Sequence, residues 1–86
     1  MHVTVELFGS FSDLSPDREL QLEVVDGACV SDLRSALHGH LQTHFPQFRA
    51  GLLRVCVFAD SQRILRDPEP LPADGRVSIL PPVSGG

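Results

Sequence analysis

Lysine is absent from the sequence, and this absence shapes the charge of the molecule. All seven basic residues are arginine, and eleven acidic residues leave a net charge of −4 at pH 7. A negative chain is repelled by phosphate backbones, so we expect no nucleic acid among its partners. An acidic surface instead favours docking onto a protein with basic patches.

Long hydrophobic runs are also missing. No apolar stretch approaches the length that spans a bilayer, and residues 1–6 lack the basic and then apolar order of a signal peptide. We therefore expect no membrane association and a cytoplasmic location.

The chain has little room for a deep active site. Its 86 residues supply one core, and a chain of this size buries roughly 60–65% of the surface that its unfolded form exposes. Such a core is too small for an enclosed catalytic cavity, so the chain is not expected to be an enzyme on its own.

Metal and redox motifs are missing too. Cys29 and Cys56 lie 27 positions apart and are expected to be free and buried or half-buried, with a disulfide favoured only in a secreted protein. His40 and His44 would share a helical face near His38, but no acidic or cysteine ligand of that helix completes a metal site. We therefore predict no bound metal.

What the sequence does contain is clear strand periodicity. Every second residue is apolar in residues 3–7 and again in residues 20–24, which is typical of strands with one buried face. Residues 52–58 form an apolar, β-branched run with Leu53, Val55 and Val57 on one side, which we expect to face the core, and this run predicts a third, central strand. Residues 9–17 are rich in Ser, Asp, Gly and Pro and predict a connection.

One helix is predicted between the second and third strands. Ser31 is a suitable N-cap, and Pro46 stops the helix because proline lacks an amide donor. The apolar positions on its buried side are Leu33, Ala36, Leu37, Leu41 and Phe45. In chain order the predicted elements are strands at about 2–8 and 18–25, a helix at about 32–44, and strands at about 52–58, 63–65 and 76–80.

This order predicts an α+β fold of the β-grasp, ubiquitin-like type. It has a mixed sheet of four to five strands with one main helix packed on one face. Residues 1–82 form this domain, and residues 83–86 form a flexible Gly-Gly tail. On the strand face opposite the core we predict a partner interface formed by Phe8, Phe58 and Leu80.

The tail Val83-Ser84-Gly85-Gly86 is suited to the delivery of a carboxyl group. The preceding Pro81-Pro82 ends the last strand and stiffens the exit, and the six residues from Pro81 span at most about 20 Å. Terminal glycines carry no side chain to obstruct a narrow tunnel. A bare carboxylate is a poor electrophile, so Gly86 needs activation, for which adenylation by a partner followed by attack of a sulfur nucleophile is suitable.

Residues 71–86, which end in Pro-Pro-Val-Ser-Gly-Gly, closely resemble the C-terminal signature of the MoaD/ThiS family of ubiquitin-like sulfur carriers. The resemblance is greatest to the MoaD branch, the small subunits of molybdopterin synthase. It implies that the first and last strands are parallel at the centre of the sheet. It also implies that Gly86 is adenylated, then thiocarboxylated, and that it donates sulfur for molybdopterin, the organic part of the molybdenum cofactor.

The resemblance also implies partners. A ubiquitin-activating-type adenylating enzyme would use ATP and a sulfur donor, while the carrier itself binds no cofactor. The large catalytic subunit of molybdopterin synthase would complete a heterotetramer. Two alternatives remain open: a sulfur carrier for another pathway, such as thiamin thiazole, cysteine or a secondary metabolite, and a ubiquitin-like protein modifier that could not form chains through lysines of its own.

Overall fold

A mixed sheet of five strands forms the frame of the computed structural model, which describes residues 1–45 and 55–81. The strand order is β2-β1-β5-β3-β4. The central strands β1 and β5 are parallel, and the other neighbouring strands are antiparallel. The strand bounds are β1 (His2–Leu7), β2 (Glu19–Glu23), β3 (Val57–Ala59), β4 (Ile64–Leu65) and β5 (Arg76–Leu80).

The α-helix α1 (Val30–His44) packs its apolar side on one face of this sheet. Alternation in the strands places every second side chain in the same core, as the period-two pattern predicts. The largest fully buried side chains are Phe11, Phe58, Leu33, Leu37, Leu41, Ile79, Val3, Val5, Val30 and Val77. The β-grasp prediction is confirmed, including the central parallel pair that the family resemblance implied.

The helix begins earlier than the sequence pattern predicts. Its N-cap is Cys29, not Ser31, and the Asp32 carboxylate accepts a hydrogen bond of 3.0 Å from the Cys29 backbone amide. The amides of Val30 and Ser31 donate to the carbonyls of residues 69 and 67, at 2.9 Å each. A loop distant in sequence therefore satisfies helix N–H groups that would otherwise lack partners.

The segment predicted as a connection after β1 contains a 3₁₀ helix (Gly9–Leu14). Phe11 points from it into the core and is fully buried. Leu7 at the end of β1 donates its backbone amide to the Arg18 carbonyl over 2.8 Å. The buried aromatic ring and this hydrogen bond hold the connection against the end of the sheet.

The third strand is shorter than predicted, and the faces predicted for the side chains of this segment are wrong. β3 covers only Val57–Ala59. Val55, which the alternation predicts on the core side together with Val57, is 55% exposed. Leu53 and the rest of residues 46–54 lie outside the described residues. In the turn that follows this strand, the Asp60 carboxylate accepts hydrogen bonds of 2.8 Å from the amides of Gln62 and Arg63.

Candidate functional site

The candidate site is the end of the sheet at which β5 stops and the predicted tail starts. Because β5 lies between β1 and β3, the chain leaves from the middle of the sheet. Pro81 is the last described residue and is half-buried. The other predicted tail residues, Pro82, Val83, Ser84, Gly85 and Gly86, lie outside the described residues.

Gly9 contacts Pro81 at this exit. A Cβ atom built on Gly9 would lie 2.6 Å from Pro81 Cγ and 3.0 Å from Pro81 Cδ, closer than side-chain contacts allow. Gly9 also has a φ of +59°, a left-handed conformation that glycine adopts without steric penalty. In the sequence, this contact is indicated only by the position of Gly9, which comes two residues after the end of β1.

An apolar patch lies on the sheet face opposite α1, next to the exit. Val57 and Leu80 are paired in register and both are half-buried. Phe8 continues β1 in an extended conformation and is 45% exposed, and Ile64 at the neighbouring strand is 60% exposed. We call this set, Phe8, Val57, Ile64 and Leu80, the outer patch.

The predicted interface of Phe8, Phe58 and Leu80 is therefore wrong at one residue. Phe58 is fully buried, because its register partner on β5 is the core residue Ile79. The Arg34 guanidinium of α1 also lies 5.0 Å from the centroid of the Phe58 ring. A strand presents successive side chains to opposite faces, so a shift of one residue exchanges Val57 and Phe58.

The outer face becomes polar toward β2. Arg76 of β5 forms ion pairs with Glu6 at 2.7 Å and with Glu19 at 3.3 Å. The hydrogen bond to Glu6, followed by that to Glu19, raises the pKa of Arg76. At the far end of β1, His2 contacts Glu23 over 2.7 Å, and this hydrogen bond is the main cause of its raised pKa. The outer patch thus has an acidic border that Arg76 partly neutralises.

The cysteines are free, as expected. Cys29 is half-buried and Cys56 is buried. Burial raises the pKa of the Cys56 thiol, although the nearby Arg34, whose Nη1 donates to Sγ over 3.1 Å, opposes this effect. A protonated, buried thiol is a poor nucleophile.

The histidines form a pair on α1. The ring centroids of His40 and His44 lie 4.5 Å apart, and desolvation, followed by the His44 charge, lowers the pKa of His40. Within the described residues no group of three His, Cys, Asp or Glu side chains is arranged to hold a metal ion. Over residues 1–45 and 55–81, no helix has the length and apolar character needed to cross a membrane.

Comparison with known proteins identifies the family. The model of the ThiS family matches residues 5–86, which include the whole tail. The chain belongs to the ThiS family. The predicted resemblance to MoaD/ThiS-type sulfur carriers is confirmed at this level. No curated protein matches the sequence of this ThiS-family chain.

Solved structures share its fold over 95% to 100% of the chain. SAMP1 from Haloferax volcanii superposes with a TM-score of 0.69 at 23% identity, covering 100% of both chains. A second structure of H. volcanii small archaeal modifier protein 1 gives 0.68 at 22% identity, covering 95% of this chain and 98% of that one. A chain from the complex of subunits 1 and 2 of the molybdopterin-converting factor of Helicobacter pylori 26695 gives 0.60 at 25% identity, with full coverage of both.

Proposed function

We propose that this chain is a sulfur carrier protein whose reactive group is the carboxyl carbon of Gly86. The observation that carries the proposal is the family match, which extends through the Pro-Pro-Val-Ser-Gly-Gly ending to residue 86. The position of β5 supports it, since the chain leaves the middle of the sheet beside the outer patch.

The chemistry needs three steps, all performed in a partner enzyme. A Gly86 carboxylate oxygen attacks the α-phosphorus of ATP and releases pyrophosphate, which gives an acyl adenylate. A persulfide of the donor then attacks the carbonyl carbon and releases AMP, which gives an acyl disulfide. A second thiol of the partner attacks the donor sulfur of this acyl disulfide, so the S–S bond breaks, the partner is oxidised to a disulfide and the thiocarboxylate is released. The carrier contributes the placement of its tail and binds no cofactor, so it acts as a non-catalytic co-substrate. We place this ATP-dependent reaction in the cytoplasm.

For the recipient we propose the precursor of molybdopterin, with the chain as small subunit of a molybdopterin synthase. The C-terminal sequence supports this assignment, as does the structural likeness to a chain from the molybdopterin-converting factor complex. A large catalytic subunit would cover the outer patch and receive the tail, in a heterotetramer. Thiamin thiazole, cysteine and secondary-metabolite pathways are the other recipients of a carrier of this type.

A protein modifier is the second candidate function. The fold of H. volcanii small archaeal modifier protein 1 is shared over the whole chain, and this likeness favours the candidate. In that case the carboxyl carbon of Gly86 would be transferred to a lysine amine of a target. Chains of modifiers joined through lysine cannot form, since the sequence contains no lysine.

Intact mass spectrometry tests the carrier function. After incubation with the adenylating enzyme, ATP and a sulfur donor, we expect the mass increase that replacing one oxygen atom by sulfur gives. Deletion of Gly86 should abolish the increase, because the reaction needs the carboxyl carbon within about 3–3.5 Å of the attacking atom. Gly39→Ala is a matched control, since it changes a glycine at an open position of α1.

Three outcomes separate the candidates. Transfer of sulfur to the molybdopterin precursor by the thiocarboxylate and a large subunit supports the proposed recipient. Conjugates to target proteins, without thiocarboxylate, would favour the modifier. A Gly86 deletion that still acquires the sulfur mass would overturn the carrier function.

A further inference from the structure

The contact between Gly9 and Pro81 lies where the tail leaves the folded domain. The Pro81 ring occupies the space that a side chain at residue 9 would need, with Cγ 2.6 Å from the position of a Gly9 Cβ. The strand register explains this proximity. Leu7 pairs with Ile79 in the parallel arrangement of β1 and β5, so Gly9 and Pro81 follow two residues later on neighbouring paths.

The Gly9 side of the contact is held by several interactions. Ser12 donates a hydrogen bond of 2.8 Å to the Gly9 carbonyl, and the Phe11 amide donates to the Phe8 carbonyl over 3.1 Å. The buried Phe11 ring anchors the same 3₁₀ helix in the core. Residue 9 therefore cannot move away from Pro81 without disturbing buried structure.

The Pro81 side cannot yield by a side-chain rotation. Its ring is closed on the backbone nitrogen, so the ring atoms and the backbone move together. A change of ring pucker moves Cγ but leaves Cδ, which is bonded to the backbone nitrogen and lies 3.0 Å from the position of a Gly9 Cβ. A group added at Gly9 therefore displaces the Pro81 backbone, which is the base of the tail. The Pro81-Pro82 sequence favours an extended polyproline conformation, and this stiffness transmits a change of direction at the base to the residues that follow.

We propose that Gly9 is a positioning residue for the reaction at Gly86. Through its contact with Pro81 it sets the direction in which the tail leaves the sheet relative to the outer patch. The inference rests on the proposed function, because a reaction at Gly86 makes this direction matter. A displacement of about 1 Å in a reacting group can lower a rate by about 100-fold.

The first experiment compares Gly9→Ala with Gly27→Ala in adenylation by the cognate enzyme. Gly27 also has a positive φ, +81°, but a Cβ there meets nothing within 4 Å. Both substitutions place alanine in a left-handed conformation, and only Gly9→Ala displaces Pro81. We expect Gly9→Ala to lower kcat by about 10- to 100-fold with KM unchanged, and Gly27→Ala to retain the wild-type kcat. Circular dichroism establishes that both variants are folded.

The second experiment is a rescue. Pro81→Ala removes Cγ and Cδ and leaves Cβ, which lies 3.8 Å from the position that a Cβ on Gly9 would take. The Gly9→Ala/Pro81→Ala double variant should therefore have the kcat of Pro81→Ala alone. A kcat for Gly9→Ala equal to that of Gly27→Ala would overturn the inference. So would a double variant whose kcat is lowered by the product of the two single-variant effects.

A measurement on the isolated chain separates this inference from the proposed function. The residual dipolar coupling of the Cα–Hα bond of Pro81, at the base of the tail, should change in Gly9→Ala and stay at its wild-type value in Gly27→Ala. An unchanged coupling in Gly9→Ala overturns the positioning role alone. A wild-type chain that its adenylating enzyme never activates overturns the proposed function, and with it the role of Gly9 in that reaction.

Discussion

At the scale of single residues, two neighbours in β3 have opposite roles. Phe58 is fully buried under the Arg34 guanidinium, whereas Val57 lies on the outer face beside Leu80. Hydrophobicity alone does not separate them, and the larger aromatic residue is the one in the core. The separation comes from the register with β5, in which Phe58 pairs with Ile79.

Charge substitutions should separate the two faces. Leu80→Glu and Val57→Glu are expected to weaken binding to a large subunit by at least about 2 kcal/mol while the domain stays folded. Phe58→Glu should unfold the domain, because an unpaired charge cannot be buried in the core. Calorimetric binding and circular dichroism of each variant check these outcomes. Wild-type affinity in both Leu80→Glu and Val57→Glu would rule out the outer patch as the docking surface.

The Glu69 carboxylate gives a second prediction for a single residue, because its contribution to stability depends on pH. Its hydrogen bond with Arg63, followed by that from the Arg66 backbone amide, lowers its pKa from 4.5 to about 2. Ionised Glu69 therefore stabilises the fold above pH 4.5, and this contribution is lost as the pH falls through about 2. Glu69→Gln should lower Tm at pH 7, and its difference from wild type should shrink toward pH 2.

Thermal unfolding of Glu69→Gln and wild type between pH 7 and pH 2 measures this effect. Asp17→Asn, which neutralises an exposed carboxylate, is the charge-matched control. A Tm difference that stays constant over the whole pH range would contradict the assigned role of the Glu69 carboxylate.

At the scale of elements, the loop between β4 and β5 and the turn before β5 organise their neighbours. The loop carbonyls at residues 67 and 69 accept the first amides of α1. In the turn, Gly75 has a φ of +70° and its carbonyl accepts the Thr4 amide of β1 over 2.7 Å. The start of the helix and the central strand pair thus depend on short segments with little regular structure.

Gly75→Ala should destabilise the domain strongly. A Cβ at residue 75 would lie 2.5 Å from the His2 carbonyl oxygen, a backbone atom that cannot rotate away. The left-handed φ alone costs an alanine about 1–2 kcal/mol, and the clash adds to this. Urea unfolding of Gly75→Ala and of Gly27→Ala, which has the strain without the clash, measures the difference. Equal free energies of unfolding for the two variants would show that the contact between residue 75 and the His2 carbonyl accommodates an added methyl group.

At the scale of the whole molecule, the sheet separates two apolar surfaces. One face and α1 enclose the core, while the other carries the outer patch with its acidic border. The net charge of −4 and the apolar patch have different roles in binding. The net charge acts over a distance and affects the rate of encounter, whereas the outer patch stabilises the complex after the two surfaces are in contact.

The association rate with a basic partner should therefore depend on salt. Raising the ionic strength from about 0.01 M to about 0.15 M shortens the Debye length from about 30 Å to about 8 Å and should slow association. The dissociation rate should change little, because it depends on packed contacts. Stopped-flow or surface binding kinetics measure both rates. An association rate that is independent of salt would exclude electrostatic steering.

Much of the architecture was predictable from local sequence patterns. The alternation in residues 3–7 and 20–24 predicted β1 and β2, the helical spacing predicted most of α1, and the ending at residues 71–86 indicated the family. These signals are local because strand and helix periodicities place apolar side chains on one face of each element. The chemistry proposed for Gly86 also follows from the sequence alone.

Tertiary structure decided which residues surround Pro81 at the end of β5 and which face of the sheet each strand residue occupies. The faces of Val57 and Phe58 depend on the register between β3 and β5, which lie about 20 positions apart in the chain. The start of α1 depends on a loop that follows it, and the contact of Gly9 with Pro81 joins the two ends of the domain. Such contacts depend on how distant segments meet in space, so no local period in the sequence reveals them.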